Sequence, residues 1–182
     1  MNKSTDIHWY PLRVTYSREL LLKEKLDAEK IENFIPMHYE YVKVGFGKAG
    51  KTRKLVPVVH NLVFVHSSLK CIERIKQSVS PSLVVRYIFD RETRLPLIVP
   101  EVQMRSFIAV SGSYEEQIVY LDPVVTALQK GDSVRITDGT FGGVEGTVIR
   151  VKGDRRVAVC IQGVMAVATT YVHPSLIEKI EE

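Results

Sequence analysis

The chain has 182 residues, is 45% hydrophobic and 25% charged, and carries a formal net charge of +4. Those proportions are typical of a globular protein. They exclude a low-complexity chain, and no run reaches the ~20 apolar residues needed to span a bilayer. The charge is uneven: residues 1–110 hold 18 Lys and Arg against 11 Asp and Glu, and residues 111–182 hold 7 against 10. A basic N-terminal unit fits a polyanion partner; it equally fits a Lys-rich solvated surface. Met1 to His8 has no apolar signal core, so a cytoplasmic location is expected.

In chain order, His8–Thr15 is predicted as a strand, with Pro11 tolerable near an edge or irregularity. Ser17 caps a helix over 18–29, where Leu22 and Leu26 share a face. Phe34–Val44 returns as a strand, and Gly45 to Lys54 forms a Gly- and Lys-rich hairpin tip. The apolar run Leu62-Val63-Phe64-Val65 reads as a central strand. Ser67 or Ser68 caps a second helix with Leu69, Ile72, Ile75 and Val79 on one face. Leu83–Phe89 and Leu95–Val99 are predicted strands, and Pro100-Glu101 starts a third helix with Met104, Phe107 and Ile108 as its buried stripe. Residues 111–129 interrupt the rhythm as a linker, although Ile118–Leu121 has the character to dock on a domain. From Lys130 onward the pattern is all strand, giving a small five-strand-type barrel. The expected fold is therefore α+β: an N-terminal α/β sandwich over 1–110, then a small β-barrel over 130–182.

The opening of the barrel is the most distinctive stretch. Gly131-Asp132 leads into a strand with Val134 and Ile136 alternating, Gly139 turns the chain, and Gly143 and Gly146 carry it around Phe141 into the next strand. This arrangement resembles the KOW motif, a small SH3-like barrel of transcription elongation factors and some ribosomal proteins. Trp9-Tyr10 on a first strand, Pro36 after the first helix, His60-Asn61-Leu62-Val63-Phe64-Val65 and Ile98-Val99-Pro100 precede it. That order resembles the NusG family, in which an N-terminal (NGN) domain precedes a KOW domain, over nearly the whole chain. Arg13 to Glu19 and Ile31 to Met37 are similar to the specialised UpxY-type antiterminators of capsular polysaccharide operons. Asn61, Phe64-Val65 and Ile98-Val99-Pro100 resemble RfaH-like paralogues.

The resemblance implies a transcription antitermination and elongation factor acting on RNA polymerase, on specific operons such as capsular polysaccharide clusters. Tyr10, Leu62, Phe64 and Tyr87 would meet the clamp helices of the largest polymerase subunit; Phe64 has an equal reading as plain core. Glu73, Arg74, Ile75 and Lys76 would face the gate loop of the second-largest subunit. Arg18, Lys25 and Arg74 would contact non-template DNA or nascent RNA, with a solvated helix face as the other reading of each. The KOW barrel would recruit a ribosomal protein or the termination factor Rho, but Gln162 stands where housekeeping members use an aromatic. Two alternatives stay open: a general NusG-type elongation and termination factor, and a ribosome-associated KOW RNA-binding protein. The second expects a strongly basic barrel, whereas residues 130–182 hold 7 Lys and Arg against 7 Asp and Glu.

Catalysis is not expected. Cys71 and Cys160 lack a CxxC spacing or a nearby His pair and read as buried small hydrophobes, and His8, His38, His60, His66 and His173 are scattered. No P-loop or nucleophile elbow is present. No metal, cofactor or membrane partner is expected.

Overall fold

The computed structural model describes residues 5–44, 50–122 and 131–180. The tip residues 45–49, and residues 123–130 at the end of the expected linker and the start of the expected barrel, lie outside the described residues. β1 (Ile7–Val14) and β5 (Leu62–Ser68) form the antiparallel centre of a four-stranded sheet, with β2 (Asn33–Phe34) outside β5 and β6 (Val85–Tyr87) outside β1. Among the described residues, β3 (Met37–Val44) and β4 (Gly50–Pro57) pair only with each other, as a separate long ribbon.

Alternation along β1 and β5 sends side chains to opposite faces of the sheet. Tyr10, Leu12, Val14, Val63 and Val65 meet Leu22 and Leu26 of α1 (Glu19–Ala28) and Ile72 and Ile75 of α2 (Leu69–Ser78). Trp9, Leu62 and Phe64 meet Met104, Phe107 and Val110 of α3 (Glu101–Ser111). Each such fully buried apolar side chain contributes about 1.5–3 kcal/mol. Ser68 caps α2 by accepting from the Cys71 amide at 3.3 Å. Pro100 is the residue before α3 rather than its first residue, and its carbonyl accepts from Met104 N.

The expected single strand over 34–44 is broken between β2 and β3 at Ile35-Pro36, because Pro36 has no amide to continue a ladder. Leu95–Val99 does not form a ladder either. It makes isolated bridges, Phe89 to Pro96 and Trp9 to Val99, and Pro96 again lacks a donor. Pro11 fits because the β6 ladder stops at Leu12–Val14, and beyond it Pro11 needs only its carbonyl, which accepts from Ile88 N.

The C-terminal sheet runs β12-β8-β9-β10-β11-β7, built from β8 (Ser133–Ile136), β9 (Glu145–Val151), β10 (Asp154–Ile161), β11 (Met165–Ala168) and β12 (Ile177–Lys179). Its sixth strand is β7 (Val119–Leu121), which pairs with β11, so the middle of the expected linker belongs to this sheet. Gly146 is required by close approach: a Cβ there would lie 2.3 Å from the Ala158 carbonyl oxygen. Gly143 has φ 85° and donates to Ile136 O at 2.7 Å, closing the turn around Phe141.

The two halves share a core. α3 lies between the N-terminal sheet and the barrel, and its apolar cluster runs on into Val134, Ile136, Val157, Val159 and Met165. Gln103 Nε2 donates to Cys160 O at 2.7 Å, and Glu145 N donates to Ser106 Oγ at 3.0 Å. Cys71 and Cys160, expected as buried, are half-exposed: Cys71 packs at the margin of the α1–α2 core, and Cys160 points away from the barrel interior. Burial still raises the Cys160 thiol pKa.

Candidate functional site

The residues expected to meet nucleic acid fall in two places. Lys25 and Arg74 converge on one carboxylate: Glu29 accepts from Arg74 at 2.7 Å and lies 3.6 Å from Lys25. α1 and α2 lie side by side on one face of the sheet, and this cross-link is the result. Arg18 sits two turns away, roughly 10 Å along the α1 axis. It precedes α1, donates to Ser82 O, and holds its guanidinium 5.5 Å from the Tyr16 ring centroid. All three are exposed or half-exposed. A phosphate at Lys25 and Arg74 would have to compete with Glu29, an exchange between solvated ion pairs that costs little.

Of the residues expected at the gate loop, Glu73 and Arg74 are exposed, Lys76 is half-exposed, and Ile75 is 3% exposed inside the α1–α2 core. Ile75 therefore serves packing. Lys76 donates to Glu73 at 2.9 Å and holds the Glu73 carboxyl below its ordinary range. Lys76 also lies 4.5 Å from the Tyr87 ring centroid.

The expected clamp-facing residues do not form one surface. Tyr10 and Tyr87 lie on the α1–α2 face of the sheet, whereas Leu62 and Phe64 lie on the α3 face. Tyr10 is 1% exposed, Leu62 4% and Phe64 0%, and only Tyr87 reaches solvent in part. The core reading of Phe64 describes its environment, since α3 covers it with Phe107 at a centroid distance of 5.6 Å. Burial, then the Asp6 charge, raises the Tyr10 pKa. Burial, then the Glu73 carboxylate, raises that of Tyr87 strongly, although the Tyr87 hydroxyl has no hydrogen-bond partner of normal geometry.

An aromatic chain leads from this core to the surface. Tyr10 meets Tyr87 edge-on at 6.4 Å, and Tyr87 meets Phe89 at 6.2 Å. Phe89, Leu95 and Ile98 are 55%, 57% and 45% exposed, on a ribbon whose inward residues Ile88 and Leu97 are half-buried. The sequence reading missed this patch. Its signal was the adjacent apolar pairs Ile88-Phe89 and Leu97-Ile98, of which an extended chain turns only one member inward, read there only as strand. Beside the patch, Arg13, Phe89 and Asp90 border a cleft of about 400 Å³ whose other wall is the barrel turn Gln162-Gly163.

Also missed was a brace beneath Tyr16. Tyr16, Ser17 and Asn61 have φ of 60°, 51° and 66°, a region costly for side chains other than glycine. Asn61 Oδ1 accepts from Ser17 N at 2.7 Å, and the buried Glu19 carboxylate accepts from Asn61 N at 3.1 Å and lies 2.9 Å from His60 Nδ1. The brace holds Tyr16 out at 80% exposure beside Arg18.

Val134, Ile136 and Phe141 are buried, Asp132 pairs with Lys179 at 3.0 Å, and Val148 N donates to Asp132 O. Gly131 and Gly139 flank them, Gly131 where a Cβ would strike the Val148 carbonyl. No helix among the described residues is long and apolar enough to cross a membrane.

A protein-family model described as "Transcription termination factor nusG" matches residues 7–108, more than half of the chain. A solved structure of Thermotoga maritima NusG, described by its domain interaction, aligns over 97% of this chain and 98% of that one, at 21% identity and a TM-score of 0.43. No curated protein matches the chain by sequence.

Proposed function

Because the chain belongs to the NusG family of transcription factors, we propose that it binds elongating RNA polymerase and suppresses pausing and termination on particular operons, capsular polysaccharide clusters being the type suggested by the UpxY-like segments. The observation that carries this reading is the family match across residues 7–108, the unit that contains the four-stranded sheet and the basic surface. The mechanism is linkage. A ligand that spans two polymerase subunits in the closed clamp binds that state better, and so depletes the open, paused one.

The clamp contact is assigned to the exposed ribbon around Phe89 and Leu95, with Tyr87 behind it. An interface needs a desolvated aromatic anchor, and Phe89 is the end of the aromatic chain that reaches solvent. Tyr10, Leu62 and Phe64 support this surface from within. Glu73, Arg74 and Lys76 are left for the gate loop, and Arg18, Lys25 and Arg74 for the DNA strand or nascent RNA beside it.

The specialised role is favoured over a general NusG-type role by Gln162, which is exposed at the β10–β11 turn and faces the N-terminal unit across the cleft. A barrel that presents a polar turn there lacks the aromatic with which housekeeping members recruit a ribosomal protein or Rho.

The test is binding of the full chain to core RNA polymerase with a housekeeping NusG as competitor. Mutually exclusive binding, lost in a folded Phe89→Ser/Leu95→Ser double variant, is expected. Undiminished binding by that variant would return the clamp contact to another surface. Absence of any polymerase binding by the wild-type chain would remove the reading and favour the ribosomal alternative.

A further inference from the structure

The β3–β4 ribbon and the segment after α3 enclose a second recess, apart from the surfaces assigned above. It has a volume of about 340 Å³, within the usual range for small-ligand sites, and Tyr39, Tyr41, Arg53, Tyr114, Glu116 and Tyr120 line it. In the ribbon register Tyr39 faces Leu55 and Tyr41 faces Arg53, so Tyr39, Tyr41, Lys51 and Arg53 share one face. The Arg53 guanidinium carbon lies over the Tyr39 ring, 4.0 Å from its centroid, and Arg53 pairs with Glu116 at 2.8 Å. Tyr114 meets Tyr39 edge-on at 6.0 Å, held there by a left-handed backbone with φ 53°. The Tyr120 hydroxyl is committed to Ser111 Oγ at 2.8 Å, which fixes the floor.

These walls have a definite ligand chemistry. Tyrosine faces accept a flat aromatic ring by stacking, and an Arg–Glu pair at the rim offers both donors and an acceptor to a ring edge. The carboxylates of Glu115 and Glu116 disfavour a phosphate inside the recess. Outside it, Lys51 is exposed on the same face and presents a cation to a backbone running along the ribbon. Tyr39 and Tyr41 are spaced roughly 7 Å apart along the strand, a step that an extended single strand spans with successive nucleotides.

We propose that this recess takes an unstacked nucleobase of a single-stranded nucleic acid, with Tyr41 and Tyr39 as stacking platforms and Lys51 on the adjoining phosphate. Neither the polymerase contact nor Arg18, Lys25 and Arg74 enters this proposal. A duplex is a poor ligand because its bases are already stacked.

The test uses the purified full chain without polymerase. Fluorescence anisotropy is recorded with a labelled 12-nucleotide DNA, the same sequence as RNA, and the corresponding DNA duplex, over a series of salt concentrations. Tighter binding of one or both single strands than of the duplex is expected. Tyr41→Ala should weaken single-strand binding roughly tenfold, in line with base–aromatic stacking, and Tyr41→Phe should retain it. Lys51→Gln should lower the salt slope by about 0.7. Photo-crosslinking of a 5-iodouracil oligonucleotide should label Tyr39, Tyr41 or Tyr114. Equal affinity for duplex and single strand would overturn the proposal, as would an unchanged Tyr41→Ala affinity or labelling confined to α1 and α2. Capture of a peptide without oligonucleotide binding would overturn it in favour of a protein ligand.

Discussion

Glu19 is a carboxylate only 2% exposed at the start of α1, and its two oxygens engage Asn61 N and His60 Nδ1 in the turn before β5. The side chain ties two distant turns together and holds Asn61 in its left-handed conformation. Hydrogen bonds to a charged group contribute about 1.5–3 kcal/mol, so Glu19→Ala is expected to destabilise the chain by about 2–3 kcal/mol, measured as a shift in denaturant midpoint at unchanged slope. Nothing in a local window marks Glu19 as different from the exposed Glu24. Its role depends on where the turn at Asn61 arrives in space. Glu73 shows a second residue-level effect, with Lys76 lowering its carboxyl pKa from an ordinary value of 4.5. A depressed folded-state pKa stabilises the fold above the unfolded-state value, and this is lost as pH falls through the folded one. Stability should therefore drop below about pH 4.5, and Glu73→Gln should flatten that acid limb in a series of unfolding curves.

At the scale of elements, local pattern and observed structure agree where one physical cause dominates. α2 has a clear apolar stripe and a Ser cap, and forms as the periodicity predicts. The strands β8 to β11 follow from alternation and from glycines placed at close approaches. Gly146 tests that account: a Cβ 2.3 Å from a backbone oxygen of β10 cannot be relieved by a side-chain rotation. Gly146→Ala is expected to cost about 2 kcal/mol or more and to lower the melting temperature, with loss of protection at β9–β10 amides in hydrogen exchange. The pattern misled at Leu95–Val99 and at Phe34–Val44, where a proline in each run removes a ladder donor. It also left Phe89 and Leu95 undistinguished from core. Alternation gives two faces of a segment, and does not say which of them the rest of the chain will cover.

Over the whole molecule, the decisive feature is the sharing of α3. Met104 and Phe107 pack toward Phe64 in the sheet, while Ser106 and Gln103 bond to β9 and β10 of the barrel. Ser106 is 4% exposed, so a long charged side chain has no room there. Ser106→Arg is expected to separate the halves while leaving each folded. The check is an increase in radius of gyration by small-angle scattering, with amide shifts confined to α3, β9 and β10. A compact Ser106→Arg chain would show that the apolar contacts alone hold the arrangement. Since the barrel turn at Gln162 walls the cleft beside Phe89, the same variant should also change access to the proposed polymerase contact.

By itself the sequence determined the helices and most strands, the Ser68 cap of α2, the α+β order, the barrel with its glycine-dependent turns and the family resemblance, because periodicity and close backbone turns are set by neighbours in the chain. Only the tertiary structure decided that Tyr10 and Phe64 are internal and on opposite sides of the sheet. It alone showed that Val119–Leu121 belongs to the barrel, and that Tyr39 and Tyr114 meet across a recess. The physical reason is that burial is settled by distant segments competing for the same apolar surface. A run such as Leu62–Val65 is equally apolar whether a partner protein or α3 comes to cover it.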